Sequence, residues 1–298
     1  MSERYQTGDC LGRGRAGSVY EAYDTQQNKS VILRRFDVPE EEYQNNRWRS
    51  EYLTITNDLK RIKHPNILEV LDSDFDEEGP FIVTDQAPGI RLSKMMPGQG
   101  TGIPLKAIYQ LASQMLDAYQ VAMSFGFYHY ALSPSSILGY EHQDNEYHFT
   151  LMDLGHSKLI PLIANNSNDA LAKTLDPALL APEVYEGNPQ GIQSSLYMLG
   201  QLLYWVSAGG HPLAGLSLRT AHAKHKAGEM PYLKGYRADM PDNFRKWIYR
   251  LIEPNPDRRP ESIIEARMLM PASDEVNAEI FRPQPRKMDR RDAEPDYS

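Results

Sequence analysis

The segment LGRGRAGSVY places Gly12, Gly14 and Gly17 in a GxGxxG pattern. Glycines at this spacing let a backbone approach phosphate groups closely. Two phosphate-binding arrangements share the pattern. In one, a helix follows and its N-terminus meets a pyrophosphate. In the other, a strand follows and the glycines form a hairpin over a nucleotide. Val19, Glu21 and Tyr23 alternate with their neighbours, which predicts a strand and favours the hairpin. A plain turn that needs positive φ also explains the glycines, and the motif alone leaves that open. His222 and His225 lie three apart on a predicted helix, a spacing that can bind metal. No carboxylate or cysteine partner is near them in sequence, so they read as a solvated face. No Ser-His-Asp arrangement stands out.

The elements that must position these residues change character along the chain. Up to about residue 90 the pattern is strands around one helix. The run 30–38, SVILRRFDV, is β-branched, and Ile32 and Arg34 share one face of it. Residues 47–62 carry Leu53, Ile55, Leu59 and Ile62 at helical spacing, and the helix stops at His64-Pro65. Two strands flank the Asp/Glu/Gly turn within 69–86, and Glu40 to Glu42 read as a surface turn. Helices then dominate, at 105–125, 196–206, 244–252 and 262–269, with one short strand expected over 149–155. Cys10 reads as a small strand residue. The end, 271–298, mixes both charges with proline and is expected to be a disordered tail or linker.

With 298 residues, 41% hydrophobic and 24% charged, the chain can build one large domain or two lobes with a sizeable core. A net charge of −8 speaks against nucleic acid as the main partner. The single cysteine cannot form an internal disulfide, and no Cys/His zinc spacing exists. The N-terminus has no basic-then-apolar segment, and the apolar run 196–206 is too short to span a bilayer and contains Gln201. The expectation is a reducing, cytoplasmic setting, for this chain alone or as the cytoplasmic part of a larger protein.

Read in order, the chain has GxGxxGxV, VILRRF, HPNIL, FIVTDQ, YHYALSPSSIL, FTLMDLG, LLAPE, LYMLGQLLY and PDRRP. This succession, from about Tyr5 to Leu269, resembles the eukaryotic-like serine/threonine protein kinase family. The resemblance implies an α+β, bilobal kinase-like fold. It places a small β-rich N-lobe over 1–87, a large helical C-lobe over 88–270 and the tail beyond. Thr84 becomes the residue before the hinge, and Asp85 to Ala87 the hinge. The nucleotide-binding positions would be Gly12, Gly14, Gly17, Val19, Arg34, Thr84, Asp85, Ala87 and Asp153, with Asp153 also the metal ligand if nucleotide binds. His129, Glu183 and Arg259 match structural positions, and Glu183 and Arg259 are expected to form a buried ion pair.

The residues that would do the family's chemistry differ. Its catalytic loop, HRDLxxxxN, uses the Asp as proton acceptor and the Asn as magnesium ligand. Here His129 and Leu132 match, but Tyr130, Ala131 and Ser136 stand for the Arg, Asp and Asn, and Ser133 for a phosphate-contacting Lys. Arg34 replaces the VAIK lysine. Ile32 replaces a small alanine and is expected to crowd the adenine space. Counting nine back from His64 puts Ile55 where the lysine's glutamate partner belongs, with Glu51 one turn earlier. Ser195 replaces the Asp that anchors the central helix. Left without its usual partner, Arg34 is expected to reach Asp153 across the cleft.

The resulting expectation is a degraded member of the family, a pseudokinase. It would act as a regulatory or scaffolding module for an unidentified protein partner, with no catalytic residues and no firm cofactor. ATP and magnesium would bind weakly if at all. Two alternatives stay open. One is a noncanonical ATP-dependent kinase that recruits another acid, such as Asp144, Glu146 or Asp176. The other is an ATP sensor without turnover. Ser157, Ser167 and Thr174, within the segment 154–181, would be phosphoacceptors or plain loop residues.

Overall fold

The computed structural model describes residues 4–14, 17–96, 98, 102–128, 132–142, 146–155, 158–159, 162, 176–188 and 191–272. The alternating segments near the N-terminus become strands β1 (Tyr5–Gly14), β2 (Gly17–Asp24), β3 (Lys29–Phe36), β4 (Val70–Asp76) and β5 (Gly79–Thr84). They form one sheet in the order β1-β2-β3-β5-β4, every neighbouring pair antiparallel. The two-residue period sorts the side chains. Val31 and Leu33 join Tyr5, Ala22, Phe81 and Val83 in a small core on one face. Ile32 and Arg34 therefore lie on the other.

A short helix α1 (Glu40–Tyr43) takes the place of the surface turn expected at 40–42. It leads into α2 (Asn46–Arg61), where Asn45 caps the N-terminus by accepting from the Arg47 and Trp48 N–H groups. Trp48, Tyr52, Ile55, Thr56 and Leu59 form the buried stripe of α2. The Tyr52 hydroxyl donates to the Phe81 carbonyl at 2.7 Å, fixing the helix against β5.

A second sheet, β6 (Ile90–Arg91), β7 (Ile137–His142) and β8 (Glu146–Leu151), lies where the two halves meet. The Leu68 N–H donates to the Leu151 carbonyl, and the Leu151 N–H to the Asn66 carbonyl, both at 2.8 Å. The strand expected over 149–155 thus starts earlier and stops at Leu151. The cause is Asp153, whose φ of 56° is left-handed and cannot continue a strand.

The remainder is helical: α3 (Leu92–Met95), α4 (Leu105–Ser124), α5 (Pro182–Tyr185), α6 (Ile192–Ala208), α7 (Leu218–Ala227), α8 (Asp242–Leu251) and α9 (Ile263–Leu269). Helix α6 is buried almost all round and forms the centre of the large core. No helix among the described residues is long and apolar enough to cross a membrane. Residues 273–298, most of the expected tail, lie outside the described residues.

The solvated-face reading of the α7 histidines is corrected. Helical spacing does not reveal which face a neighbour covers, and here α6 covers His225 completely. Its Nε2–H donates to the Pro177 carbonyl at 3.0 Å, and its Nδ1 accepts from the Tyr197 hydroxyl at 2.7 Å. Nearby, His211 donates from Nε2 to Gln201 Oε1 at 3.0 Å and accepts the Leu213 N–H at Nδ1. His222 stacks on Tyr185. Both buried rings are satisfied as neutral imidazoles. Burial lowers the His211 pKa to about 3 and the His225 pKa to about 4, from an ordinary 6.5.

Between those values and 6.5 the unfolded chain binds more protons than the folded one, so stability is full above 6.5 and falls as pH falls. Each histidine should remove roughly 2 kcal/mol at pH 5. Urea unfolding at pH 7 and pH 5 measures the loss, and His225→Gln should shrink it. An unchanged loss in that variant would remove His225 from the cause.

Candidate functional site

Between the five-stranded sheet and the helical half lies a cleft of about 900 Å³. Its roof is the β1–β2 hairpin. Gly17 has φ 135°, and a side chain there would collide with the Arg35 carbonyl, its Cβ only 2.0 Å away. That position therefore needs glycine. Gly12, Gly17 and Val19 line the cleft, with a strand and not a helix after the glycines. Gly14 pairs with Gly17 at the tip of the hairpin. Thr84, Asp85, Gln86 and Ala87 close the back, where the Asp85 N–H donates to the Glu69 carbonyl. Lys29 Nζ sits 3.3 Å from the Asp85 carboxylate.

Ile32 lines the cleft and is half-buried. The apolar walls also include Leu11, Ile82, Leu138 and Met152. Sequence reasoning did not single these out. They are ordinary strand residues, and only the folded chain makes them neighbours.

Arg34 lies on β3 opposite Val19 of β2. Its Nη2 donates to Asp153 Oδ1 at 2.6 Å, the contact expected across the cleft. Both side chains are part-buried, 28% and 21% exposed. Asp153 is held in place by its own left-handed turn and by Gly155, which packs on Leu59 of α2. Ile55 is buried in the α2 stripe, while Glu51, one turn earlier, is exposed.

Ser136 is buried, and its hydroxyl is used within its own turn. Oγ accepts the Ser133 N–H and donates to the Ser133 carbonyl, both at 2.9 Å. Ser133 and Ser135 line the cleft edge, where Arg91 donates to the Ser135 carbonyl at 2.8 Å. His129, Tyr130 and Ala131 lie outside the described residues, as do Asp144, Ser157, Ser167 and Thr174. The other two candidate substitute acids are placed elsewhere. Glu146 is exposed at the far end of β8 and pairs with Lys106 and Gln110. Asp176 accepts the Ala178 N–H and does not line the cleft.

Magnesium requires near-octahedral oxygen ligation, with one or two carboxylates beside phosphate and water. At the two positions that hold the metal in the family, the donors are one carboxylate held by a guanidinium, Asp153, and one hydroxyl turned into a backbone turn, Ser136. Among the described residues no cluster of three or more His, Cys, Asp or Glu could hold a metal. These two described positions, bonded as they are, do not fit the ion. The cleft itself, with its glycine roof, apolar walls and polar hinge, does fit a nucleotide.

Below the cleft, Glu183 and Arg259 make a bidentate pair, with Nη1 to Oε1 at 2.6 Å and Nη2 to Oε2 at 2.9 Å. The Arg259 side chain is fully buried and also donates to the Glu253, Gln193 and Pro254 carbonyls. Ser194 donates to Glu183 as well. Burial opposes ionisation of Glu183, but the Arg259 hydrogen bonds outweigh it and hold the carboxyl below its usual range. Ser195, in the anchoring position of α6, donates to the Gly191 carbonyl at 3.1 Å.

The profile of the protein kinase domain family matches residues 5–270. The chain belongs to the protein kinase family. It is 27% identical over 266 residues to the DNA damage-responsive serine/threonine-protein kinase RqkA of Deinococcus radiodurans, covering 88% of this chain and 38% of that one. It is 28% identical to the serine/threonine-protein kinase PkaA of Streptomyces coelicolor, covering 90% and 50%. The chain thus spans between 38% and 57% of the length of such relatives. Among solved structures, Rad53 in complex with AMP-PNP superposes with a TM-score of 0.69 at 19% identity, covering 89% of this chain and 64% of that one. The kinase domain of Mycobacterium tuberculosis PknI superposes with 0.66 at 20%, covering 92% and 96%. These structures share the kinase fold: a five-stranded antiparallel sheet on a helical lobe.

Removing Arg259 leaves Glu183 charged and buried, which costs about 3–5 kcal/mol. Arg259→Ala should therefore lose that much stability in urea unfolding at pH 7. A loss under about 1 kcal/mol, the range of an exposed pair, would contradict the assignment.

Proposed function

We propose that this kinase domain serves as a regulatory or scaffolding module that binds a partner protein and does not transfer phosphate. The observation that carries the reading is Ala131 at the position of the family's catalytic acid. A methyl group cannot accept a proton from a hydroxyl. Two further features support it. Ser136, at the metal-ligand position, spends its hydroxyl on Ser133. Asp153 is held by Arg34, which stands where the family has lysine. The contacts that build the fold, by contrast, are kept, Glu183–Arg259 above all. We place the lobe boundary at 87/88 and the end of the domain at 270, in a cytoplasmic setting.

The relatives speak for a second reading, an active ATP-dependent serine/threonine protein kinase. Their names are those of kinases, and the likeness runs over nearly the whole domain. The open cleft agrees with it. This reading needs an acid other than Glu146 or Asp176, which do not line the cleft. A third reading, an ATP-binding sensor without turnover, is compatible with the same cleft.

Labelled ATP with magnesium or manganese decides between transfer and no transfer. The expected outcome is no label on the chain itself or on a generic substrate protein. Label that appears in the natural chain and disappears in Asp153→Asn would establish the second reading and end the first.

A further inference from the structure

We propose that the cleft takes a nucleoside triphosphate without a divalent cation, the Arg34 guanidinium standing at Asp153 where the metal would be. The proposal rests on reading the cleft as a site that does not transfer phosphate.

Three observations lead there. First, Arg34 is in the right place. It lies opposite Val19 in the β2–β3 register, beneath the strand that leaves the glycine hairpin. A nucleotide with its base against Val19, Ile32, Leu138 and Met152 would carry its phosphates under that hairpin, beside Arg34. Second, Asp153 does not present a bare negative charge to those phosphates, because Arg34 compensates it at 2.6 Å. The carboxylate at the hinge, Asp85, is likewise compensated by Lys29. Arg13 and Arg91 line the same cleft and add two positive charges, against one further carboxylate, Glu21. Third, the donors for a metal are committed elsewhere, as the Ser136–Ser133 hydroxyl bond and the Arg34–Asp153 pair show.

The chemistry of arginine links these observations. A guanidinium is planar, stays charged and carries five N–H donors in a fork. It can hold a carboxylate through one nitrogen and a phosphate oxygen through another. A lysine ammonium in its place would be a point charge and would leave more of Asp153 to a metal. A divalent cation arriving beside Arg34 meets a like charge and must displace it from Asp153. Added magnesium therefore competes with Arg34 and does not assist it.

Calorimetric titration of the full 298-residue chain with ATP, once in EDTA and once in magnesium, tests this. The expected result is binding in EDTA with a Kd equal to that in magnesium within about threefold, or tighter. Arg34→Ala should weaken binding in EDTA at least about tenfold. Asp153→Asn should bind in EDTA as well as the natural chain or better, since a carboxylate beside the phosphates is gone. If Arg34→Ala does not fold, Arg34→Gln, which keeps most of the stem, takes its place. The two arms with the natural chain decide the question without either variant. Binding only in magnesium overturns the proposal, and so does the absence of binding in both buffers. Absence in both leaves the reading of a non-transferring domain standing. Magnesium-dependent binding together with label transfer ends both.

Discussion

A guanidinium drawn partly out of water needs an anion, and this constraint on Arg34 organises the cleft. The alternation of β3 puts Arg34 on the inner face with Ile32, because Val31 and Leu33 are taken into the small core behind the sheet. Helix α2 offers no carboxylate at the matching turn. Its buried stripe carries Ile55 there, and Glu51 is exposed. The carboxylate that Arg34 meets is Asp153, presented by a left-handed turn whose Gly155 packs on Leu59 of the same helix. The ion pair thus ties the sheet to the turn across the mouth of the cleft, and Gly155 ties the turn to the helix. A pair this exposed adds little to stability by itself. Its consequence is chemical, since it engages one oxygen of the carboxylate at the family's metal position.

Two sets of contacts contrast within one domain. Those that make the kinase fold are dense and buried. Arg259 makes five hydrogen bonds from a side chain with no exposure, two of them to Glu183. Asn66 and Leu151 join the segment after α2 to β8. At positions that serve phosphoryl transfer in the family, Ser136 bonds to Ser133 and Arg34 to Asp153. Phosphoryl transfer depends on positioning and charge neutralisation. The kinase names of the relatives keep the question of turnover an experimental one.

Much of this was legible in the sequence, for physical reasons. A two-residue period decides the faces of a strand, so the inward position of Arg34 followed from Ile32 and its neighbours. The order of motifs identified the fold because each belongs to an element with its own period. Other features were not legible. His225 sits on a short amphipathic helix, and spacing alone does not say that α6 covers it. The end of β8 at Leu151 depends on the backbone conformation of Asp153, which no side-chain pattern announces. The inward turn of the Ser136 hydroxyl is a local choice between solvent, metal and backbone that composition does not resolve.

The central claim is that Arg34, and not a metal ion, is the cation at Asp153. Crystals of the full chain grown with ATP and manganese allow this to be seen through the anomalous scattering of the ion. The expected result is no manganese peak within bonding distance of the Asp153 carboxylate, with Arg34 still in contact with it. A manganese peak bound to Asp153, with the Arg34 side chain displaced, would contradict it.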